Sequence, residues 1–297
     1  MSQKKFKAGY VAIIGKPNAG KSTLLNQVVG QKLCIVTPKA QTTRHRILGI
    51  VSTDEYQMVF NDTPGIMKPQ VELHHRMLRA VRQSVRDADV ALWLAALDET
   101  FPEDLVFEAL AEAQCPLVVA LNKQDRVSTA QADAREHALR ERLPQAQAWH
   151  RLSALHNTGV QALLDTLVSL LPESPPYYDP EQVTDLPVRF FAAELIREQV
   201  FLHYEEEIPY GVEVVIQSYR ETPDRVYIDA DLHVPRAAHI PIIIGKKGEA
   251  LRRMSTAARL AIETFIEQPV FLNLHVRVTE NWTDRPGYLR NFGYSDK

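Results

Sequence analysis

Eight residues near the start of the chain carry its clearest chemistry: Gly15, Lys16, Pro17, Asn18, Ala19, Gly20, Lys21 and Ser22, with Thr23 next. They read G-x-x-x-x-G-K-S between an apolar run at 10–14 and a helix-like run at 23–29. In that strand–loop–helix setting the glycines let backbone N–H groups turn inward around a phosphate. Lys21 reaches the β- and γ-phosphates, and the Ser22 hydroxyl ligates Mg²⁺. Asp62, Thr63, Pro64 and Gly65 end a second apolar run at 56–60. A carboxylate there is placed to hold the metal through water, and Gly65 has no side chain to keep its N–H from a γ-phosphate. Asn122, Lys123, Gln124 and Asp125 follow the apolar run 117–121. An ionised Asp125 accepts from N1–H and the exocyclic amine of guanine. Adenine offers no such donor pair, so the N-K-x-D spacing selects guanine. Lys123 is placed to cover the base with its stem, and Asn122 to tie this loop to the phosphate loop. Ser153, Ala154 and Leu155 follow a weak strand at 148–152, where the Ala154 N–H is a donor for guanine O6. The polar stretch 37–45 holds two threonines, Thr42 and Thr43. A loop threonine that reaches Mg²⁺ only when a γ-phosphate is present makes a switch.

Such residues work only on the carboxyl ends of strands in an α/β sheet. The expected first domain is therefore a P-loop GTPase of the translation-factor-like class, with a mixed sheet, helices on both faces, and GTP or GDP with Mg²⁺ as its cofactors. Lys21, Asp62 and Gly65 are the expected catalytic groups, with a threonine of the switch loop. Ile66 stands where Ras-like enzymes carry a water-orienting Gln. Hydrolysis of this type rests on positioning and electrostatics, so no acid–base pair is required and the expected intrinsic rate is slow.

The chain has 297 residues, room for two domains. Charged residues make up 24% and hydrophobic residues 45%, the balance of a globular protein. No apolar run reaches membrane-spanning length, and residues 1–6 lack a signal-peptide core. Cys34 and Cys115 supply neither a disulfide framework nor a zinc set, which fits a reducing cytoplasm. The stretch 171–180 holds four prolines, which stop a helix and favour a stiff, extended linker. The expected division is a GTP-binding domain at 1–172, a Pro-rich linker at 173–186, and a second domain at 187–297.

In that second part the pattern predicts a helix over 187–204, strands over 212–219 and 225–234, a helix over 250–267 and a strand over 270–278. Before the long helix lie Gly245, Lys246, Lys247 and Gly248, followed by Arg252, Arg253 and Arg259. This G-K-K-G resembles the G-x-x-G loop of a KH domain, which clamps a single-stranded RNA backbone. From Glu181 onward there are 14 Lys and Arg against 18 Asp and Glu, a net −4. From Arg236 to Arg259 there are six basic residues and one acidic, so the basic face is local. Glu205, Glu206 and Glu207 read as a solvated helix end. The tail at 282–294, rich in aromatics and arginine, suits either stacking on splayed bases or packing back on its own domain.

With T-T-R, D-T-P-G-I, N-K-Q-D, a short linker and a C-terminal KH-like domain, the chain resembles the Era family of bacterial GTPases, of the TrmE–Era–EngA type, along essentially its whole length. The resemblance implies a smaller α+β type II KH-like second domain, with Gly245, Lys246, Lys247, Gly248, Arg252 and Arg253 binding RNA. It favours Thr43 as the metal-ligating threonine beside Ser22 and Asp62. It also gives Asn18 a role in holding a K⁺ ion that acts like an arginine finger. It implies the 3′ end of 16S rRNA and the small (30S) ribosomal subunit as partners, no DNA, and a role in assembly or maturation of that subunit. It further implies a cytoplasmic protein with peripheral contact to the inner membrane. A GTP-dependent change at Thr43 and Gly65 would then be relayed to the KH-like domain. Two rival readings are a membrane or signalling GTPase whose C-terminal domain binds protein, and a tRNA-modifying enzyme. The second needs a Cys/His cluster or nucleophile–base pair that the sequence does not offer.

Overall fold

The computed structural model describes residues 5–99 and 104–294; residues 1–4, part of the stretch read for a signal peptide, lie outside them. The chain forms two compact units. One takes the chain up to Cys34, Thr43–Lys68 and Met77–Asp185, and the other takes Ile35–Thr42, Pro69–Arg76 and the chain from Leu186.

The first unit is built on β1 (Lys7–Ile14), β2 (Ile47–Ser52), β3 (Tyr56–Asp62), β4 (Val90–Ala96), β5 (Leu117–Asn122) and β6 (Ala148–Arg151). Its helices are α1 (Lys21–Val29), α2 (Glu72–Arg86), α3 (Asp104–Ala111), α4 (Thr129–Arg142) and α5 (Val160–Leu170). The sheet runs β2-β3-β1-β4-β5-β6, with β2 antiparallel to β3 and every other neighbour parallel. It is the mixed sheet that the motif order requires. Every residue of β4 and β5 is buried, as befits parallel strands covered on both faces. Trp93, Val119 and Ile14 meet Val81 and Val85 of α2 and Val106 of α3 on one side. The C-terminal ends of β1, β3 and β5 deliver Gly15, Thr63 and Lys123, so the chemistry lies along one edge of the sheet.

The Pro-rich stretch is extended and fastened to this unit as far as Asp185. Leu171 is buried, the amides of Tyr177 and Tyr178 donate to Gln57 Oε1 (2.7 and 3.0 Å), and Ile50 N–H donates to Val183 O (2.9 Å). Gln57 is fully buried, so these bonds satisfy an amide that would otherwise be costly.

The second unit contains α6 (Val188–His203), α7 (Ile208–Gly211), β7 (Glu213–Glu221), β8 (Val226–Val234), α8 (His239–Ile244), α9 (Glu249–Ile266), β9 (Val270–Val278) and α10 (Pro286–Asn291). The sheet order is β7-β8-β9, antiparallel then parallel. Alternate residues of β8, Val226 to Val234, point into a core with Ile196 and Val200 of α6 and Met254, Ala258 and Ile262 of α9. This is the α+β order expected for a type II KH domain. Ile35 lies in that core, and its neighbour Val36 donates to Glu198 Oε1 (3.1 Å). Lys39 Nζ caps the C-terminal end of α6 through the carbonyls of Phe201 (2.8 Å) and Tyr204, where a cation suits the helix dipole. The tail packs back: Trp282 is fully buried with its indole N–H on Gly211 O (2.9 Å), and Tyr294 Oη donates to Glu213 Oε2 (2.7 Å).

Candidate functional site

The phosphate loop runs from the end of β1 into α1. Gly20 takes φ +95°, a conformation L side chains rarely adopt, and a Cβ there would lie 2.2 Å from Asn122 Nδ2. Asn122 itself bridges the loops: Nδ2 donates to Ala19 O (2.8 Å), and Oδ1 accepts from Ala154 N–H (2.9 Å). The tie expected of Asn122 is thus present. The Ala154 N–H, expected to face guanine O6, is engaged by Asn122 instead, because Asn122 is buried and needs both ends satisfied. Asn18 is exposed at the loop tip with φ 62°. Lys21 is 5% exposed, and its Nζ folds onto the carbonyls of Lys16 (3.0 Å) and Gly15 (3.3 Å). Burial pushes its pKa down, opposed by Asp62 and Glu99.

Ser22 Oγ lies 2.7 Å from Asp62 Oδ2 and 2.9 Å from Thr43 Oγ1. Thr42 is occupied elsewhere, its hydroxyl on Thr37 Oγ1 (2.7 Å) and Lys39 O (2.8 Å). The structure therefore brings Ser22, Asp62 and Thr43 together and leaves Thr42 out. Asp62 is buried, burial raises its pKa against the pull of Lys21 and Ser22, and its Oδ1 has no hydrogen-bond partner. An orphaned carboxylate oxygen beside two hydroxyls is a hard-oxygen donor set that fits Mg²⁺. Thr63 Oγ1 anchors on Ile13 O (2.7 Å), and Ile66 N–H donates to Gly15 O (3.0 Å). This draws Gly65 so close that a Cβ would sit 2.5 Å from Pro17 N. Ile66 is buried in the core, which explains an apolar residue where Ras-like enzymes carry Gln.

On the base side, Lys123 adopts φ 64°, and its Nζ pairs with Asp98 Oδ1 (2.9 Å) and Glu99 Oε1 (3.3 Å). Burial would raise Asp98, but the hydrogen bonds from Lys123 and Arg126 hold its carboxyl below the usual range. Asp98 and Glu99 were not among the expected site residues. Their signal was an acidic pair just past the apolar strand β4. Asp125 is held low chiefly by a hydrogen bond from the Ser153 side chain. Leu155 is exposed.

In the second unit Lys246, Lys247, Arg252 and Arg253 are exposed together around the turn from α8 into α9. Gly245, Lys247 and Gly248 have positive φ, and Gly248 N–H closes the turn on Gly245 O (3.2 Å). Arg259 is paired with Glu263 (2.6 Å) one turn on, so it adds little free charge to this face.

Two family models match the chain: a 50S ribosome-binding GTPase over residues 10–123 and a KH domain over 207–283. GTPase Era of Carboxydothermus hydrogenoformans is 40% identical over 295 residues, 98% of this chain and 99% of that protein. This chain belongs to the Era GTPase family. A structure of an Aquifex aeolicus Era variant bound to GDP·AlF4⁻ superimposes with TM-score 0.93 at 36% identity, over 98% of this chain and all of that one. A structure of Era with MgGDPNP and nucleotides 1506–1542 of 16S ribosomal RNA has TM-score 0.93 at 37% identity, over 98% and 99% of the two chains. The Era fold thus accounts for both units described here, and the chain is a GTPase with a KH domain. Among the described residues no helix is long and apolar enough to cross a membrane, and no group of three or more His, Cys, Asp or Glu is arranged to hold a metal.

Proposed function

We propose that this protein binds and hydrolyses GTP while its KH domain holds the 3′ region of 16S rRNA, in assembly or maturation of the small ribosomal subunit. The observation that carries the nucleotide half is the convergence of Asp62 and Thr43 on Ser22, whose Oγ lies 2.7 Å from Asp62 Oδ2 and 2.9 Å from Thr43 Oγ1. Mg²⁺ held by this set would neutralise charge building on the phosphate oxygens during transfer. The chain's own groups do the rest. Loop N–H groups and Lys21 bind the phosphates, and Gly65 brings its N–H to the γ-phosphate position. Asp125 reads the guanine edge, and Lys123, steadied by Asp98 and Glu99, covers its face. Asn18 at the loop tip would supply an oxygen for K⁺, whose charge would act against the phosphates like an arginine finger. With GTP bound, Thr43 would ligate the metal beside Ser22, and loss of the γ-phosphate would remove that tie, which would make the cycle a switch.

The RNA half rests on four exposed cations around Gly245 and Gly248 and on the Era–RNA complex that shares this fold. The local charge fits a single-stranded backbone better than a protein surface. The reading places the protein in the cytoplasm, with peripheral contact at the inner membrane as the family resemblance implies. Binding of a 16S 3′-end oligonucleotide to the full chain tests it, with the Lys246→Glu/Lys247→Glu variant beside it. Without two lysines to neutralise backbone phosphates, the salt dependence should flatten by about 1.4 in log–log slope. Unchanged RNA binding in that variant would move the RNA elsewhere and favour a protein partner for this face.

A further inference from the structure

We propose that His156, once protonated, competes with guanine for Asp125, and that guanine-nucleotide affinity falls as this imidazole takes up a proton. The proposal rests on the reading of Asp125 as the guanine-reading carboxylate and adds a regulation of that site. His156 Nε2 lies 3.8 Å from Asp125 Oδ2, with the imidazole 60% and the carboxylate 25% exposed. The backbone holds the pair in place: His156 N–H donates to Ser153 Oγ (3.3 Å), and the Ser153 side chain is hydrogen-bonded to Asp125. One short loop therefore places a hydroxyl and an imidazole beside the carboxylate.

The competition is geometric. Guanine needs both Asp125 oxygens for its two donors, N1–H and the exocyclic amine. A neutral imidazole at this distance leaves Oδ2 available. An imidazolium carries N–H donors and a charge directed at the same oxygen, so guanine must share or displace it. The other charged groups around Asp125 do not change in this range. Arg126, on the same turn, spends its guanidinium on Asp98 Oδ2 (2.9 Å), and Lys123 pairs with Asp98 and Glu99 from the end of β4. Arg, Lys and ordinary carboxylates keep their charge between about pH 5.5 and 8, where imidazole changes its own. The Ser153 hydrogen bond keeps Asp125 low, so the carboxylate stays ionised throughout.

The test is the affinity of the full chain for a fluorescent GDP analogue at about pH 7.5 and about pH 5.5, in wild type and His156→Gln, at fixed Mg²⁺. Phosphate protonation is common to both proteins, so the ratio of their affinities isolates the imidazole. An exposed pair of this kind shifts an equilibrium by up to about fivefold. The expected result is equal affinities at the higher pH, with the variant binding about three- to fivefold more tightly at the lower. A ratio that does not change with pH overturns the proposal. Asp125→Asn with xanthosine diphosphate separates the two levels. If that variant exchanges guanine for xanthine while the His156→Gln ratio stays flat, only the role of His156 falls. If Asp125→Asn leaves GDP binding unchanged, the reading of Asp125 falls with it.

Discussion

Replacing Gly20 with alanine should damage nucleotide binding far more than the loss of one phosphate-loop hydrogen bond. The new Cβ would stand 2.2 Å from Asn122 Nδ2, so either the loop or Asn122 must move. Moving Asn122 strands two buried partners, Ala19 O and Ala154 N–H. Each unpaired buried group costs about 1–3 kcal/mol. The positive φ at Gly20 adds about 1 kcal/mol for any L side chain. Together these are on the order of 3–7 kcal/mol, shared between folding and the nucleotide-bound state. GDP affinity by titration calorimetry should fall on the order of 100-fold, since about 2.7 kcal/mol of that total must appear in binding. Asn122→Ala removes the bridge without the strain and should fall about 10- to 30-fold. Gly30→Ala is the control, because Gly30 has φ +80° at the end of α1 but nothing within 4 Å of its added Cβ. It should lose about 1 kcal/mol of unfolding free energy and no affinity. If Gly20→Ala and Gly30→Ala affect GDP binding equally, the bridge through Asn122 is not what joins the phosphate and base loops.

Thr43→Ala should reduce Mg²⁺-dependent turnover by about 10²-fold or more, whereas Thr42→Ala, whose hydroxyl serves Thr37 and Lys39, should change it less than about threefold; equal losses in a GTPase assay would contradict the placement of Thr43 at Ser22. Turnover in K⁺ should exceed that in Na⁺, and Asn18→Ala should make the two salts equal; equal wild-type rates would remove Asn18 from catalysis. Asp98 has a folded pKa below its unfolded one, so its contribution to stability is present above about pH 4 and lost as the pH falls through the folded value. Denaturant unfolding should accordingly show Asp98→Asn less stable than wild type at pH 7, with the gap closing in acid. A constant gap would mean that Asp98 acts through packing.

The motif-bearing parts of the fold are legible in the sequence because each has a spacing that chemistry enforces: G-x-x-x-x-G-K-S after β1, Asp62 at the end of β3, N-K-Q-D after β5 and G-K-K-G before α9. The second unit is legible from alternation, as in β8 and β9, whose pattern matches the one-sided burial found. Strand β4 is not legible in the same way. Its run Val-Ala-Leu-Trp-Leu-Ala-Ala is buried on both faces, so it carries no period to separate strand from helix. Strand β2 follows a polar loop and is likewise unmarked. The acidic pair after β4 is visible in the sequence, but its pairing with Lys123 is not, because Asp98 and Glu99 meet Lys123 only across the β4–β5 pairing. The aromatic tail offers two readings, and the burial of Trp282, Leu289 and Tyr294 selects packing for these three. Arg259 looks like part of the basic face in sequence, but its i, i+4 partner Glu263 takes up its charge.

The most direct test of the account is GTP hydrolysis by the full chain with and without an oligonucleotide matching the 3′ end of 16S rRNA, in wild type and in the Lys246→Glu/Lys247→Glu variant. RNA should accelerate hydrolysis in the wild type and not in the variant, whose basal rate should match that of the wild type. An acceleration that survives the loss of both lysines, or tight RNA binding with no effect on hydrolysis, would contradict a GTPase cycle governed by RNA on the KH domain.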